Sequence, residues 1–217
     1  VDEDSGNTIV DFSGITAGPG EVQPLRFTAV SSNATLMGDP TVTYNNPNTT
    51  GTLTVAPLAD QSGTTTITVT VEDGGLDKDL TTSDDNLTVS RTFDITVNPV
   101  NDVPTLNALS EIMIDEDAPQ QTVNLTGITA GGGETQPLKV TATSSNTNLI
   151  ADPTITYTSD NSIGSLEFDQ NFDQFGTATI TVTVEDGGLD NNLTTAADNL
   201  TVSRTFDVTV NPVNDVP

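Results

Sequence analysis

The sequence predicts an all-β protein made of two tandem immunoglobulin-like, antiparallel β-sandwich domains of about seven strands each. Three observations lead there. The octapeptide V-N-P-V-N-D-V-P at Val97–Pro104 returns letter for letter at Val210–Pro217, an offset of 113 positions (210 − 97 = 113). About two thirds of positions 2–104 are identical to positions 115–217 at that offset, without insertion, so the chain is a tandem array. Composition is the second: Cys and Trp are absent, only 33% of residues are hydrophobic, and Thr, Val, Asp, Asn and Gly dominate, as befits half-buried strands and turns. The third is periodicity, since short apolar/polar alternations stand between Gly, Pro, Asn and Asp clusters and no helical period is present. The domains are expected at 1–102 and 103–217, the first with its opening strand largely missing.

The second copy is complete and gives the elements in order. T-L-N-A-L-S-E-I-M-I after Pro104 reads as a short first strand ending at Ile114, broken by Asp115-Glu116-Asp117 and Pro119. Thr122–Ile128 alternates Val123 and Leu125 inward and shifts phase at Gly127-Ile128, which predicts a bulge. Gly131-Gly132-Gly133-Glu134 makes a turn, Leu138, Val140 and Ala142 alternate in a third strand, and Ile155–Tyr157 and Leu166–Phe168 mark two more. The strongest strand is T-I-T-V-T-V at Thr179–Val184, matched by Thr66–Val71, with Ile67, Val69 and Val71 on one face and threonines on the other. It runs into Glu185-Asp186-Gly187-Gly188 and a long polar loop. The last strand turns Phe206, Val208 and Val210 inward and delivers the chain to the second octapeptide, a joint whose prolines stop ladder pairing. Val1 aligns with Ile114, so the first copy lacks the equivalent of Thr105–Met113, and the chain is expected to be an excerpt from a longer array.

Charge narrows the function. Thirty-one acids face five bases, a formal net charge of -26, so the surface repels nucleic acid and anionic lipid. No stretch approaches the apolar length of a membrane span. Of the cations, Arg26 is equivalent to Lys139 and Arg91 to Arg204, which suggests cross-strand surface ion pairs. With no His, no Cys, no phosphate-binding loop and no basic cluster to stabilise an oxyanion, the chain is expected not to be an enzyme.

The order D-E-D after the first strand, T-V-T-V-E-D-G-G at the end of the sixth and N-P-V-N-D-V-P at the exit resembles cadherin-like domains. It is most similar to the tandem cadherin-like repeats of large bacterial surface and secreted adhesins. The resemblance covers both copies. It implies Ca2+ at the joint between consecutive domains, held by acids from three places. The lower end of the upstream domain would give Glu3 and Asp60, the joint Asn101 and Asp102, and the upper end of the downstream domain Glu134 and Asp186. The equivalents at the second joint are Glu116, Asp173, Asn214 and Asp215, and at the upper end of the first copy Glu21 and Asp73. Pro99 and Val103 replace an Asp and an Asn of the animal linker, and Glu134 stands alone where an Asp-x-Asp pair is usual, which implies fewer or weaker sites.

The chemistry of the residues agrees in direction. Calcium takes six to eight oxygen ligands, and a chain without His or Cys offers nothing to softer metals. Acidic triplets and D-G-G turns are ordinarily solvated turns; their recurrence at both ends of a repeat framing a proline-bounded joint favours a metal. The loop holding Asp77, Asp79, Asp84 and Asp85 reads as a solubilising segment. The expected function is a calcium-binding structural or adhesion module, a rigid segment of a long secreted or cell-surface repeat protein, with neighbouring repeats as partners. The alternative is a recognition module for surface glycans or for another copy of the array, with Tyr44 and Tyr157 as the aromatic candidates.

Overall fold

The computed structural model describes residues 1–82 and 84–214. The chain divides into two compact units, Val1–Val100 and Asn101–Pro217, so the Asn101-Asp102 pair belongs with the second. The second unit has seven strands: β7 (Ile112–Asp115), β8 (Gln121–Thr126), β9 (Leu138–Ser144), β10 (Thr154–Thr156), β11 (Ile163–Phe168), β12 (Gly176–Asp186) and β13 (Thr201–Asn211). They form two sheets, β10-β11-β8 and β7-β13-β12-β9, whose inner faces share one core. The first unit has six: β1 (Thr8–Ser13), β2 (Leu25–Ser31), β3 (Thr41–Thr43), β4 (Thr50–Val55), β5 (Gly63–Asp73) and β6 (Thr88–Val97). Its sheets are β1-β4-β3 and β2-β5-β6. Each unit is thus an immunoglobulin-like sandwich.

The central hairpin of each unit pairs its longest strands, β5 with β6 and β12 with β13, along nearly their full length. Their period-two pattern turns Ile180, Val182 and Val184 fully inward, each 0% exposed. The outer faces carry the threonines, and cross-strand hydrogen bonds explain why Thr and Ser dominate there. The Thr179 hydroxyl donates to Asp207 at 2.6 Å and Thr66 to Asp94 at 2.7 Å, while Thr183 and Ser203 lie 2.8 Å apart, as do Thr70 and Ser90. Arg26 pairs with Glu72 and Lys139 with Glu185 at 3.5 Å, equivalent cross-strand pairs on the two copies. Arg204 does something else: its Nε donates to the Leu106 carbonyl at 3.1 Å.

Two departures from the sequence expectation concern the opening strand. The ladder begins only at Ile112, because Thr105 and Asn107 hydrogen-bond instead to the loop and strand end at Thr129 and Thr126 on the other sheet. β7 also joins β13 in parallel, not antiparallel: both strands run toward the same end of the unit. The predicted bulge at Gly127 is a break, where Gly127 takes φ +69° and β8 stops at Thr126. Glycine is required there, since a Cβ would meet the Asn107 amide at 2.5 Å.

Candidate functional site

Within each unit, β5 or β12 ends at one end, here called upper, and β6 or β13 leaves from the opposite, lower end. The acids gather at these ends because strand termini are where a chain must turn, and Asp and Asn favour the dihedrals of turns.

At the lower end of the first unit, Glu3 is buried at 5% exposure and its carboxylate accepts the Val100 N–H at 2.8 Å. Glu116 repeats this in the second unit, 6% exposed and accepting from Val213 N–H at 2.7 Å. A buried carboxylate therefore fastens the first residues of each exit segment to the unit they leave. Asp2 and Asp115 accept in turn from the side-chain amides of Asn98 (3.0 Å) and Asn211 (3.4 Å). Asp4 and Asp60 are exposed, hold left-handed φ of 62° and 57°, and have carboxylate oxygens within 4.8 Å of each other. Asp117 and Asp173 repeat those dihedrals at 63° and 56°. Asp173 and Asn214 are exposed; Asp215 lies outside the described residues.

The upper end of the second unit is the most ordered cluster. Asp186 ends β12 with 0% exposure. Its Oδ1 accepts three hydrogen bonds, from Gly188 N–H (2.9 Å), Leu200 N–H (2.9 Å) and the Asn101 amide (3.0 Å). Its Oδ2 is buried and accepts none from the described residues. The Asn101 amide also donates to the Asp198 carbonyl at 2.8 Å, and its Oδ1 accepts from Gln136 at 2.6 Å. Glu134 accepts the Asp102 N–H at 3.0 Å. Gly131 and Gly132 leave room for this contact: a Cβ on Gly132 would collide with the Asp102 carboxylate, and one on Gly131 would lie 2.5 Å from the Val103 carbonyl. The sequence-predicted set Asn101, Asp102, Glu134 and Asp186 is thus brought to one place, through two joint residues held by two acids.

The first unit repeats half of this. Asp73 Oδ1 accepts from Gly75 N–H and Leu87 N–H, both at 3.0 Å, but Asp73 is only half-buried and Glu21 is exposed. Sequence reasoning missed Gln136 and Asp198. Asp198 accepts the Leu189 N–H at 2.8 Å and shapes the loop that covers Asp186, as Asp85 does with Leu76 at 2.7 Å. Both residues recur at the repeat offset, as Gln23 and Asp85, and that recurrence was the available signal.

The loop acids Asp77 and Asp79 are spent on local turns. Asp79 accepts from the Thr81 hydroxyl (2.7 Å) and Thr81 N–H (2.8 Å), and these bonds hold its carboxyl below its ordinary range. The Tyr44 ring packs tilted, at 49°, against Phe27 with centroids 4.6 Å apart, and Tyr157 packs against the second core. Burial raises both phenols, so the two aromatic candidates are built into core edges.

The donor set at the upper end of the second unit fits a hard divalent cation. An acceptor-only carboxylate oxygen buried without a hydrogen bond is costly unless a positive charge faces it. Asp186 is the residue whose buried, unbonded oxygen would face such an ion.

No family model and no curated protein matches the sequence. Among solved structures the chain is similar to surface layer protein SbsC domains 1–6, at 16% identity and TM-score 0.34 over 88% of this chain and 20% of that one. It is similar to mouse cadherin-23 EC22–24, at 11% identity and TM-score 0.45 over 88% of this chain and 55% of that one. Human mucin-like protocadherin EC1–2 shares 15% identity and TM-score 0.42 over 95% and 99%. The chain therefore spans a fifth of the first of these and about half of the second. Among the described residues no helix is long and apolar enough to cross a membrane.

Proposed function

We propose that this chain is a calcium-binding structural module, a rigid segment of a long extracellular repeat protein whose partners are its neighbouring repeats. The observation that carries the reading is the Asp186 carboxylate, fully buried, with one oxygen saturated by three donors and the other accepting no hydrogen bond. A cation on that second oxygen supplies the charge neutralisation that a buried, unbonded carboxylate oxygen requires. The residues themselves do the mechanical work. Glu3 fastens Val100 to the first unit, and Asp186 and Glu134 fasten Asn101 and Asp102 to the second. The cation strengthens the second anchor.

Oxygen-only donors and few acids per site point to a dissociation constant of ~0.1–1 mM, the range of extracellular calcium modules. Hydrogen exchange of the whole chain with calcium, with magnesium and with chelator tests the reading. Calcium slows exchange of the amides at 101–103, 131–134 and 186–188 with a sub-millimolar to millimolar midpoint, and magnesium does so less. Exchange indifferent to calcium would return the acids to a purely solubilising role.

A further inference from the structure

We propose that each unit carries a pocket for an alkylammonium group, the chemistry of a free primary amine or of a lysine side chain. The inference does not rest on calcium. In the second unit a cavity of about 330 Å³ opens between the loop from β8 to β9 and the turn from β10 to β11. Its floor is aliphatic: Ile128, Ala130 and Leu138 are 2%, 3% and 6% exposed. Its polar lining includes Glu134, Gln136 and Asp160. The same pocket recurs in the first unit at about 230 Å³, where Ile15, Ala17 and Leu25 form the floor and Glu21 and Gln23 stand beside them, each at the repeat offset. Of these positions only Asp160 changes, to Pro47. Every lining residue lies inside its own unit, and the second pocket is present where the opening strand β7 is in place. The pocket is therefore a property of the whole sandwich.

The polar atoms say what the pocket takes. Gln136 is 5% exposed and spends a side-chain N–H on Asn101 at 2.6 Å, while its Oε1 is buried without a hydrogen bond among the described residues. Gln23 Oε1 is buried and unbonded in the same way. An unanswered acceptor at the same place in both copies calls for a donor. The charge has one sign: Glu134 and Asp160 line the second pocket and Glu21 the first, and no Lys or Arg lines either. The bases nearest in sequence, Arg26 and Lys139, are engaged by Glu72 and Glu185. Such a lining repels anions. A sugar hydroxyl is acceptor as well as donor, and no aromatic ring lines the second pocket to carry a sugar face. An ammonium brings three donors, no acceptor and the positive charge, and its alkyl stem covers the aliphatic floor.

The test is amide NMR of the whole chain, with chelator present so that the result is independent of the calcium reading. The chain is titrated separately with n-pentylamine, ammonium chloride, 1-pentanol, glucose and the blocked lysine Nα-acetyl-lysine methylamide. Pentylamine is expected to give saturable shifts at residues 15–25 and 128–138, with ammonium weaker by about tenfold, the factor that burial of two methylenes supplies. Binding of the blocked lysine alongside pentylamine admits a lysine of a partner protein, and its exclusion restricts the pocket to free amines. Glu21→Gln weakens the first pocket by about threefold, the worth of one exposed charge partner, and leaves the second as an internal control. Asp160→Asn does the converse. Both side chains are exposed, and Asn suits the left-handed φ of 73° at position 160, so the fold is kept. Absence of saturation by pentylamine overturns the proposal. So does 1-pentanol or ammonium binding as tightly as pentylamine, glucose saturating the same amides, shifts confined to other residues, or titrations that neither variant changes.

Discussion

The two units share T-I-T-V-T-V letter for letter, yet Val182 and Val184 are fully buried while Val69 and Val71 are half-exposed. The upper ends differ in the same way, with Asp186 at 0% exposure and Asp73 half-buried. An identical strand therefore reaches different burial according to what lies on it. In the second unit Leu106 belongs to the core that Val182 and Val184 share, with Leu109, Ile112 and Ile114 packed against it; in the first unit the rings of Phe12, Phe27 and Tyr44 contact one another where the second copy has Leu125, Val140 and Tyr157. The lesson is that period-two patterning fixes which face of a strand is apolar, whereas the completeness of burial is set by the neighbouring layer.

The comparison breaks most visibly at Leu106. Leu106→Ala should destabilise the second unit by about 2–5 kcal/mol, the range for emptying a buried leucine site, and bring its thermal transition down toward that of the first unit. In the parent chain, hydrogen exchange should show β12 better protected than β5. Equal protection of the two strands in the unmodified chain would mean that residues 105–115 contribute little. Next in size is the metal. At 10 mM calcium and a dissociation constant of ~0.1–1 mM, binding stabilises the second unit by about 1.4–2.7 kcal/mol, and Asp186→Asn should abolish that calcium-dependent gain in melting experiments. The same substitution at Asp73 should leave it in place. Glu3→Ala sharpens the comparison at the lower ends: it leaves the Val100 N–H without its carboxylate and should cost about 1–3 kcal/mol in the first unit alone, with Glu116→Ala doing the same in the second.

The smallest effect is at Glu72. Its carboxylate accepts from the Asn86 amide at 3.0 Å and from the Arg26 guanidinium, and these hold its pKa below the ordinary 4.5. A carboxyl with a lowered folded-state pKa gives stability that is present above 4.5 and is lost as pH falls through the folded value. Asn86→Ala should move the Glu72 midpoint, followed by carboxyl NMR, back up toward 4.5. A midpoint unmoved by Asn86→Ala would assign the shift to Arg26 instead.

Much of this was legible in the residues. The repeat offset placed the strands and equated Glu3 with Glu116 and Asp73 with Asp186, because turn chemistry and alternation are local. The upper-end set Asn101, Asp102, Glu134 and Asp186 was legible through the resemblance, and two of the three glycines before Glu134, Gly131 and Gly132, made sense once Asp102 was seen resting on them. What stayed hidden was non-local. Nothing in Thr105–Ser110 says that it hydrogen-bonds to Thr126 and Thr129 before joining β13, since that depends on which sheet the segment reaches first. Nor does Gln136, an ordinary polar residue before a proline, announce that it orients Asn101. The exit-fastening role of Glu3 and Glu116 was hidden because a carboxylate in an acidic triplet reads as a solvated turn until its burial is seen.

Isothermal titration calorimetry of the whole chain with calcium, repeated with magnesium and with the Asp186→Asn variant, tests the central claim most directly. The account predicts a saturable calcium isotherm in the ~0.1–1 mM range, a weaker one for magnesium, and loss of the second-unit site in Asp186→Asn. A calcium isotherm unchanged by Asp186→Asn, or no binding heat at all with the melting temperature unmoved, would contradict it.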